Sequence, residues 1–243
     1  MGSNGRLLLG VALAVLGGGC IALGRLTVPP LVVWAVVAAL GFTVAGSVLR
    51  PAAHVPADGA GRGAADFTVF AGVMIGLAGA ALVGGGAVLL GLAGLGLMAG
   101  YARLSEPRGP LGQLVLAALV GLPVTYGAVA AGRPIAGVVP WILAAWLQLL
   151  RATVADVQTE SRDRARSPRT LSTVLAIGFI PLSLVLPARA GYGGAYFLLA
   201  LFSQLAVVAT AARLIAGRVD GVNLLLKGAM VMGAVALVAG RVA

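Results

Sequence analysis

An all-α fold embedded in a membrane is what this sequence predicts, and three observations predict it. Hydrophobic residues fill 60% of the 243 positions and charged residues only 10%, where a water-soluble domain carries about a quarter charged residues. The apolar residues come in runs close to the ~20 residues a helix needs to cross a hydrocarbon core. The basic residues stand almost wholly at the edges of those runs. Too little polar surface remains to coat a water-facing globule, and the mean hydropathy of +1.05 agrees. The 37 glycines have no three-residue period, so a collagen reading fails. In packed membrane helices, small residues let neighbouring backbones approach closely.

Nine spans follow in order: 7–23, 31–49, 67–83, 85–102, 111–131, 135–150, 171–186, 195–215 and 222–239. The first resembles a signal peptide in length, but eight further spans follow it, which predicts a retained helix. The third and fourth come from one apolar stretch, 67–102, too long for a single ordinary span; Gly84, Gly85 and Gly86 are the expected hairpin. Pro30, Pro123, Pro140 and Pro181 are expected to kink or end spans and so help open a central cavity within the bundle. Trp34, Trp141 and Trp146 read as packing or interface anchors, and Met230 and Met232 as packing. Residues 1–243 are expected to form a single transmembrane domain.

Basic residues orient the spans. With the N-terminus inside, thirteen of the 17 fall on the cytoplasmic side: Arg6, Arg50, Arg62, Arg103, Arg108, Arg151, Arg162, Arg164, Arg166, Arg169, Arg213, Arg218 and Lys227. Only Arg25, Arg133, Arg189 and Arg241 face the other side. That bias predicts an N-in, C-out protein. It also accounts for the net charge of +10 without nucleic acid, since no basic helix face is interleaved with aromatics. The single cysteine, Cys20, lies inside the first span and reads as a buried thiol. No span carries an acid at mid-membrane, where the coupling sites of transporters lie.

The acids are few: Asp58, Asp66, Glu106, Asp156, Glu160, Asp163 and Asp220. Asp156, Glu160 and Asp163 fall together after the sixth span. As a helix they would stand at about 0°, 40° and −20° on one face, with Thr159 at about −60°. Three like charges on one face repel, so something positive should neutralise them. One candidate is a hard divalent cation such as Mg²⁺, which prefers oxygen ligands and bridges to phosphates, with nearby arginines clamping a diphosphate. The other is that those arginines simply pair with the carboxylates in a solvated loop. Spacing alone leaves both open.

The stretch Arg151 to Leu171 resembles the second aspartate-rich motif of UbiA-type intramembrane prenyltransferases. Arg151, Asp156 and Asp163 match the motif's arginine and outer two aspartates, and Arg169-Thr170-Leu171 matches the signature that follows. Further likeness lies in Tyr101-Ala-Arg103, Gly109-Pro-Leu-Gly112-Gln113, Leu122-Pro123-Val-Thr-Tyr126-Gly127 and Lys227-Gly-Ala-Met230-Val-Met232-Gly233. The wording is most similar to the digeranylgeranylglyceryl-phosphate synthase branch. Nine helices with the N-terminus inside is also that family's architecture.

The resemblance has departures. The family's first motif, Asn-Asp-x-x-Asp, follows a small-residue run that Ala45-Gly46-Ser47-Val48-Leu49 matches, yet its positions here are Arg50, Pro51 and His54. Ala60-Gly61-Arg62 answers the family's Ser-Gly-Arg after a shortened loop. In the second motif Thr159 replaces the middle aspartate, with Glu160 one residue on, while Ala155 and Ala152 replace its lysine and glutamate. His54 reads as a loop histidine rather than a ligand.

What the resemblance implies is prenyl transfer from a polyprenyl diphosphate to a lipid or aromatic acceptor, at a cytoplasm-facing site in a bacterial or archaeal plasma membrane. Asp156 and Asp163 would be catalytic, and Asp156, Glu160 and Asp163 would hold Mg²⁺. Arg151, Arg169, Arg50 and Arg62 would hold the diphosphate. In the family the metal neutralises a leaving group as the allylic carbon–oxygen bond breaks, an effect worth several kcal/mol. The alternative is a non-catalytic relative that binds a lipid, quinone or pigment, or serves as a subunit of a membrane complex.

Overall fold

A computed structural model describes residues 3–53, 62–103, 109–159 and 166–242. Its described residues form nine α-helices and one 3₁₀ turn: α1 Ser3–Leu23, α2 Pro30–Ala53, α3 Arg62–Val83, α4 Gly85–Arg103, α5 Pro110–Ala130, the turn Pro134–Gly137, α6 Val138–Thr159, α7 Arg166–Arg189, α8 Gly194–Ile215 and α9 Val222–Val242. All nine are long and apolar enough to cross a membrane, with mean hydropathy between 1.6 and 2.2. This is an integral membrane protein. In hydrocarbon every backbone amide must be satisfied within its own segment, which helices alone among open structures achieve.

The expected α3–α4 hairpin is tighter than three glycines. Only Gly84 leaves the helix, at φ +133°, a backbone region that favours glycine. Its amide donates to the Ala80 carbonyl at 2.9 Å while its own carbonyl accepts from Ala87 at 3.0 Å. One residue therefore closes α3 and opens α4, and Gly85 and Gly86 are already helical. Pro30 begins α2, and Pro140 sits in the first turn of α6, where its missing N–H leaves no intrahelical bond unmade. Pro123, Pro181 and Pro187 lie inside helices.

The chain divides into two compact units: Met1–Val115 with Leu122–Val138, and Leu116–Gly121 with Val139–Ala243. In the first unit, α2 and α3 meet along a seam of small residues. A Cβ on Gly41 would stand 2.6 Å from the Gly76 amide and 2.7 Å from the Gly72 carbonyl, and one on Gly79 would stand 2.9 Å from the Ala38 amide. Lipid tails are as apolar as leucine, so close backbone packing drives such a pairing. Around it, Val15, Val32, Ala35, Ala38, Phe42 and Tyr126 form a buried cluster. The Tyr126 hydroxyl donates to the Ala87 carbonyl at 2.8 Å, and its ring meets Phe42 edge-on at 6.4 Å. Cys20 is a buried, free thiol.

In the second unit, α7, α8 and α9 are joined by buried polar contacts as well as packing. Tyr196 donates to the Ser183 carbonyl at 2.6 Å, Gln204 to the Ser183 hydroxyl at 3.1 Å, and Ser203 to the Ala229 carbonyl at 2.9 Å. Trp146 donates to the Leu175 carbonyl at 2.8 Å and Trp141 to the Ala118 carbonyl at 2.9 Å. These two tryptophans are packing residues, whereas Trp34 is exposed at the start of α2. Each hydrogen bond inside a bilayer is worth about 0.6 kcal/mol on average, so they align the helices more than they bind them.

Candidate functional site

The stretch that resembles an aspartate-rich motif begins on α6 and resumes on α7. The last apolar residues of α6, Leu147, Leu150, Val154 and Val157, recur at helical spacing and are buried. That stripe carries the helix beyond the expected span, through Arg151 and Asp156 to Thr159. Asp156 is half-buried, and so is Arg151. They stand five residues apart, about 140° round the helix and 7.5 Å along it, and so present different faces. Glu160 and Asp163 lie outside the described residues, so the expected face of three carboxylates is described at Asp156 alone. Among the described residues no three His, Cys, Asp or Glu side chains come together.

Arg169 follows at the start of α7, half-buried. Among the described residues its Nε has no hydrogen-bond partner. The first turn of α7 is steadied by side chains returning to the backbone: Ser172 donates to the Pro168 carbonyl at 2.8 Å and Thr173 to the Arg169 carbonyl at 2.9 Å.

The turn between α8 and α9 lies against both of these helix ends. Gln158, two residues after Asp156, donates through Nε2 to the Val219 carbonyl at 3.1 Å. Asn223, in the first turn of α9, donates to Gln158 Oε1 at 2.8 Å. Arg169 lies on the same turn, since a Cβ on Gly217 would stand 3.7 Å from its Nη1. Gly217 has φ +74°. Its amide bonds the Leu214 carbonyl at 3.1 Å, and the Arg218 amide bonds the Arg213 carbonyl at 2.8 Å. This double closure after a helix requires a left-handed residue, hence glycine.

Gln158 and Asn223 escaped the sequence reading because neither is charged and 65 positions separate them. The alternation of spans did hold a signal: it puts the end of α6 and the start of α9 on one side of the membrane.

The positions expected for the first motif are in the first unit. Arg50 and Pro51 continue α2, which ends at Ala53, and Arg62 opens α3. Their side chains, and His54 altogether, lie outside the described residues. The small-residue run before them has a packing reason of its own. A Cβ on Gly46 would collide with the Met98 sulfur on α4, so Gly46 lets α4 lie close to α2.

No protein-family model matches the chain. Its sequence is 32% identical over 154 residues to digeranylgeranylglyceryl phosphate synthase of Halobacterium salinarum, in each of two strains, covering 58% of this chain and 55% of that protein. The chain thus spans about half the length of the curated relatives it matches. Two solved structures share the fold. One gives structural and mechanistic insight into digeranylgeranylglyceryl phosphate synthase in membranes; it superposes with TM-score 0.79 at 15% identity over 99% of both chains. The other is a UbiA homologue from Aeropyrum pernix without ligand, at TM-score 0.73 and 18% identity over 96% of this chain and 98% of that one. The chain thus has the fold of the UbiA homologue over nearly its whole length, and sequence likeness to digeranylgeranylglyceryl phosphate synthase over part of it.

Proposed function

We propose that the protein is a divergent UbiA-type prenyltransferase, moving a prenyl group from a polyprenyl diphosphate to a lipid or aromatic acceptor. Residues 1–243 act in this reading as one N-in, C-out domain, with its site at the cytoplasmic face of a bacterial or archaeal plasma membrane. The observation that carries it is Asp156, held on the last turns of α6 where the aspartate-rich stretch begins, in a chain similar over part of its length to digeranylgeranylglyceryl phosphate synthase.

The residues fit a hard cation in their donor chemistry. Asp156, with Glu160 and Asp163 four and seven positions on, offers only oxygen, which suits Mg²⁺. When bound, that ion would supply the positive charge that stabilises a departing diphosphate. Arg151 and Arg169 donate charge-assisted hydrogen bonds to the diphosphate oxygens. By the resemblance, Arg50 and Arg62 would be further diphosphate-binding residues, arginines taking the place of the first motif's usual carboxylates.

The test is release of diphosphate from geranylgeranyl diphosphate, with Mg²⁺ and candidate acceptors, by the purified protein in detergent. Asp156→Asn and Asp163→Asn abolish it. Activity that persists in both variants, or that survives chelation of the metal, refutes the mechanism.

A specific observation favours a second reading. Arg50, Pro51 and His54 occupy the first-motif positions, which suits a non-catalytic relative that holds an isoprenoid lipid, quinone or pigment, or joins a membrane complex. Co-purification of such a molecule or chain, with no diphosphate release, decides for it.

A further inference from the structure

We propose that Gln158 and Asn223 are positioning residues, and that the α8–α9 turn is the platform on which they set the end of α6 that bears Asp156. The inference rests on the prenyltransferase reading above and adds residues that the aspartate motifs do not contain.

The carboxamide of Gln158 is used at both ends. Its oxygen accepts from Asn223 at 2.8 Å and its nitrogen donates to the Val219 carbonyl at 3.1 Å. The reverse orientation would set two acceptors, Oε1 and the Val219 oxygen, against each other, so the carbonyl fixes which way the amide points. The clasp joins three elements: the last turn of α6, the α8–α9 turn and the first turn of α9.

The platform itself is closed from both sides. Gly217 and Arg218 bond back into α8, Leu224 and Leu225 bond to the Gly221 carbonyl at 3.1 and 3.2 Å, and the Arg213 guanidinium bonds the Asp220 carbonyl. Arg169 rests on it at Gly217. The end of α6 at Gln158 and the start of α7 at Arg169 therefore both reach this one turn.

Helix geometry turns this into positioning. Two residues on an α-helix differ by about 200°, so Asp156 projects from the side of α6 roughly opposite Gln158. Holding Gln158 against the platform aims the carboxylate away from it. A helix end has four carbonyls without intrahelical partners and opens readily. Without the clasp, the turn bearing Asp156 keeps only the packing of Val154 and Val157, and the helix end opens more often.

Two measurements on the full-length protein in detergent test this. The first is amide hydrogen exchange; the second is binding of inorganic pyrophosphate as a function of Mg²⁺ concentration, by calorimetry. Gln158→Ala and Asn223→Ala each speed exchange in the last two turns of α6 and raise the Mg²⁺ needed for half-maximal binding by about 10-fold, the effect of losing a partner that orients a ligand. The double variant does no worse than either single one. Thermal unfolding of the spans stays unchanged, which separates positioning from general loosening.

Unchanged exchange in both variants overturns the clasp, and so does additivity in the double variant. Faster exchange with an unaltered Mg²⁺ requirement overturns the positioning role. Wild-type protein that binds no pyrophosphate at any Mg²⁺ level instead overturns the reading on which the inference rests, whatever the exchange pattern.

Discussion

Replacing Gly41 with alanine adds one methyl group where α2 and α3 have no room for it. The new Cβ would stand 2.6 Å from the Gly76 amide nitrogen and 2.7 Å from the Gly72 carbonyl oxygen. Both are backbone atoms, so no side chain can swing aside. Ordinary contact begins at 3.4 Å, and the helices must therefore part locally by about 0.8 Å. A gap of that size forfeits a quarter to a half of each neighbouring dispersion contact. Those contacts run along Ala38, Gly41 and Ala45 on one helix and Gly72, Gly76 and Gly79 on the other. Overpacking of this kind costs about 1–3 kcal/mol.

For a chain of this length each kcal/mol lowers the unfolding temperature by roughly 2–4 °C, so a fall of about 4–8 °C is expected at the middle of that range. Gly96→Ala is the control, because nothing stands within 4 Å of its added Cβ. The assay is thermal unfolding of the purified variants in one detergent. If Gly41→Ala melts with Gly96→Ala, the seam does not hold α2 against α3 and the packing argument fails.

Gly84→Ala forces a side chain into a backbone conformation at φ +133°, costing roughly 1–3 kcal/mol; a melting temperature equal to wild type would show that α3 and α4 can break elsewhere. Tyr192, in the α7–α8 turn, is buried, which pushes its phenol above the ordinary tyrosine value; the Arg241 guanidinium, centred 4.5 Å from its ring, opposes part of that shift. The folded protein thus keeps the proton to higher pH than the unfolded chain. The Tyr192 contribution to stability is level below about pH 10 and is lost as pH rises further. Tyr192→Phe removes that share of the alkaline loss, and melting curves from neutral pH to about pH 11 that decline identically in wild type and variant would refute it.

Much of the fold was legible beforehand because hydrocarbon is a demanding solvent. Each helix of the structure contains or overlaps one expected span, since a segment that cannot bond to water must be helical and apolar over a set length. The ends were less legible. Amphipathic turns past the expected spans, such as 151–159 on α6, persist by packing a stripe of Leu150, Val154 and Val157, and a short apolar run does not register them. The α3–α4 break also depended on geometry: three successive glycines offered three places to turn, and the bonds around Gly84 chose one.

The likeness of Arg151, Asp156 and Arg169-Thr170-Leu171 to a UbiA-type motif was visible from residue types and spacing, because ligand chemistry restricts which side chains can serve. By itself the sequence determined the span count and set the expectation of an oxygen-rich motif near Asp156 and of Arg50, Pro51 and His54 at the first-motif positions. Tertiary structure alone decided that α6 stays helical past Asp156, that small residues on α2 and α3 interlock, and that Gln158 reaches Val219 and Asn223. Hydropathy is a local property read along the chain, whereas a hydrogen bond across 65 positions exists only once packing has brought its two ends together.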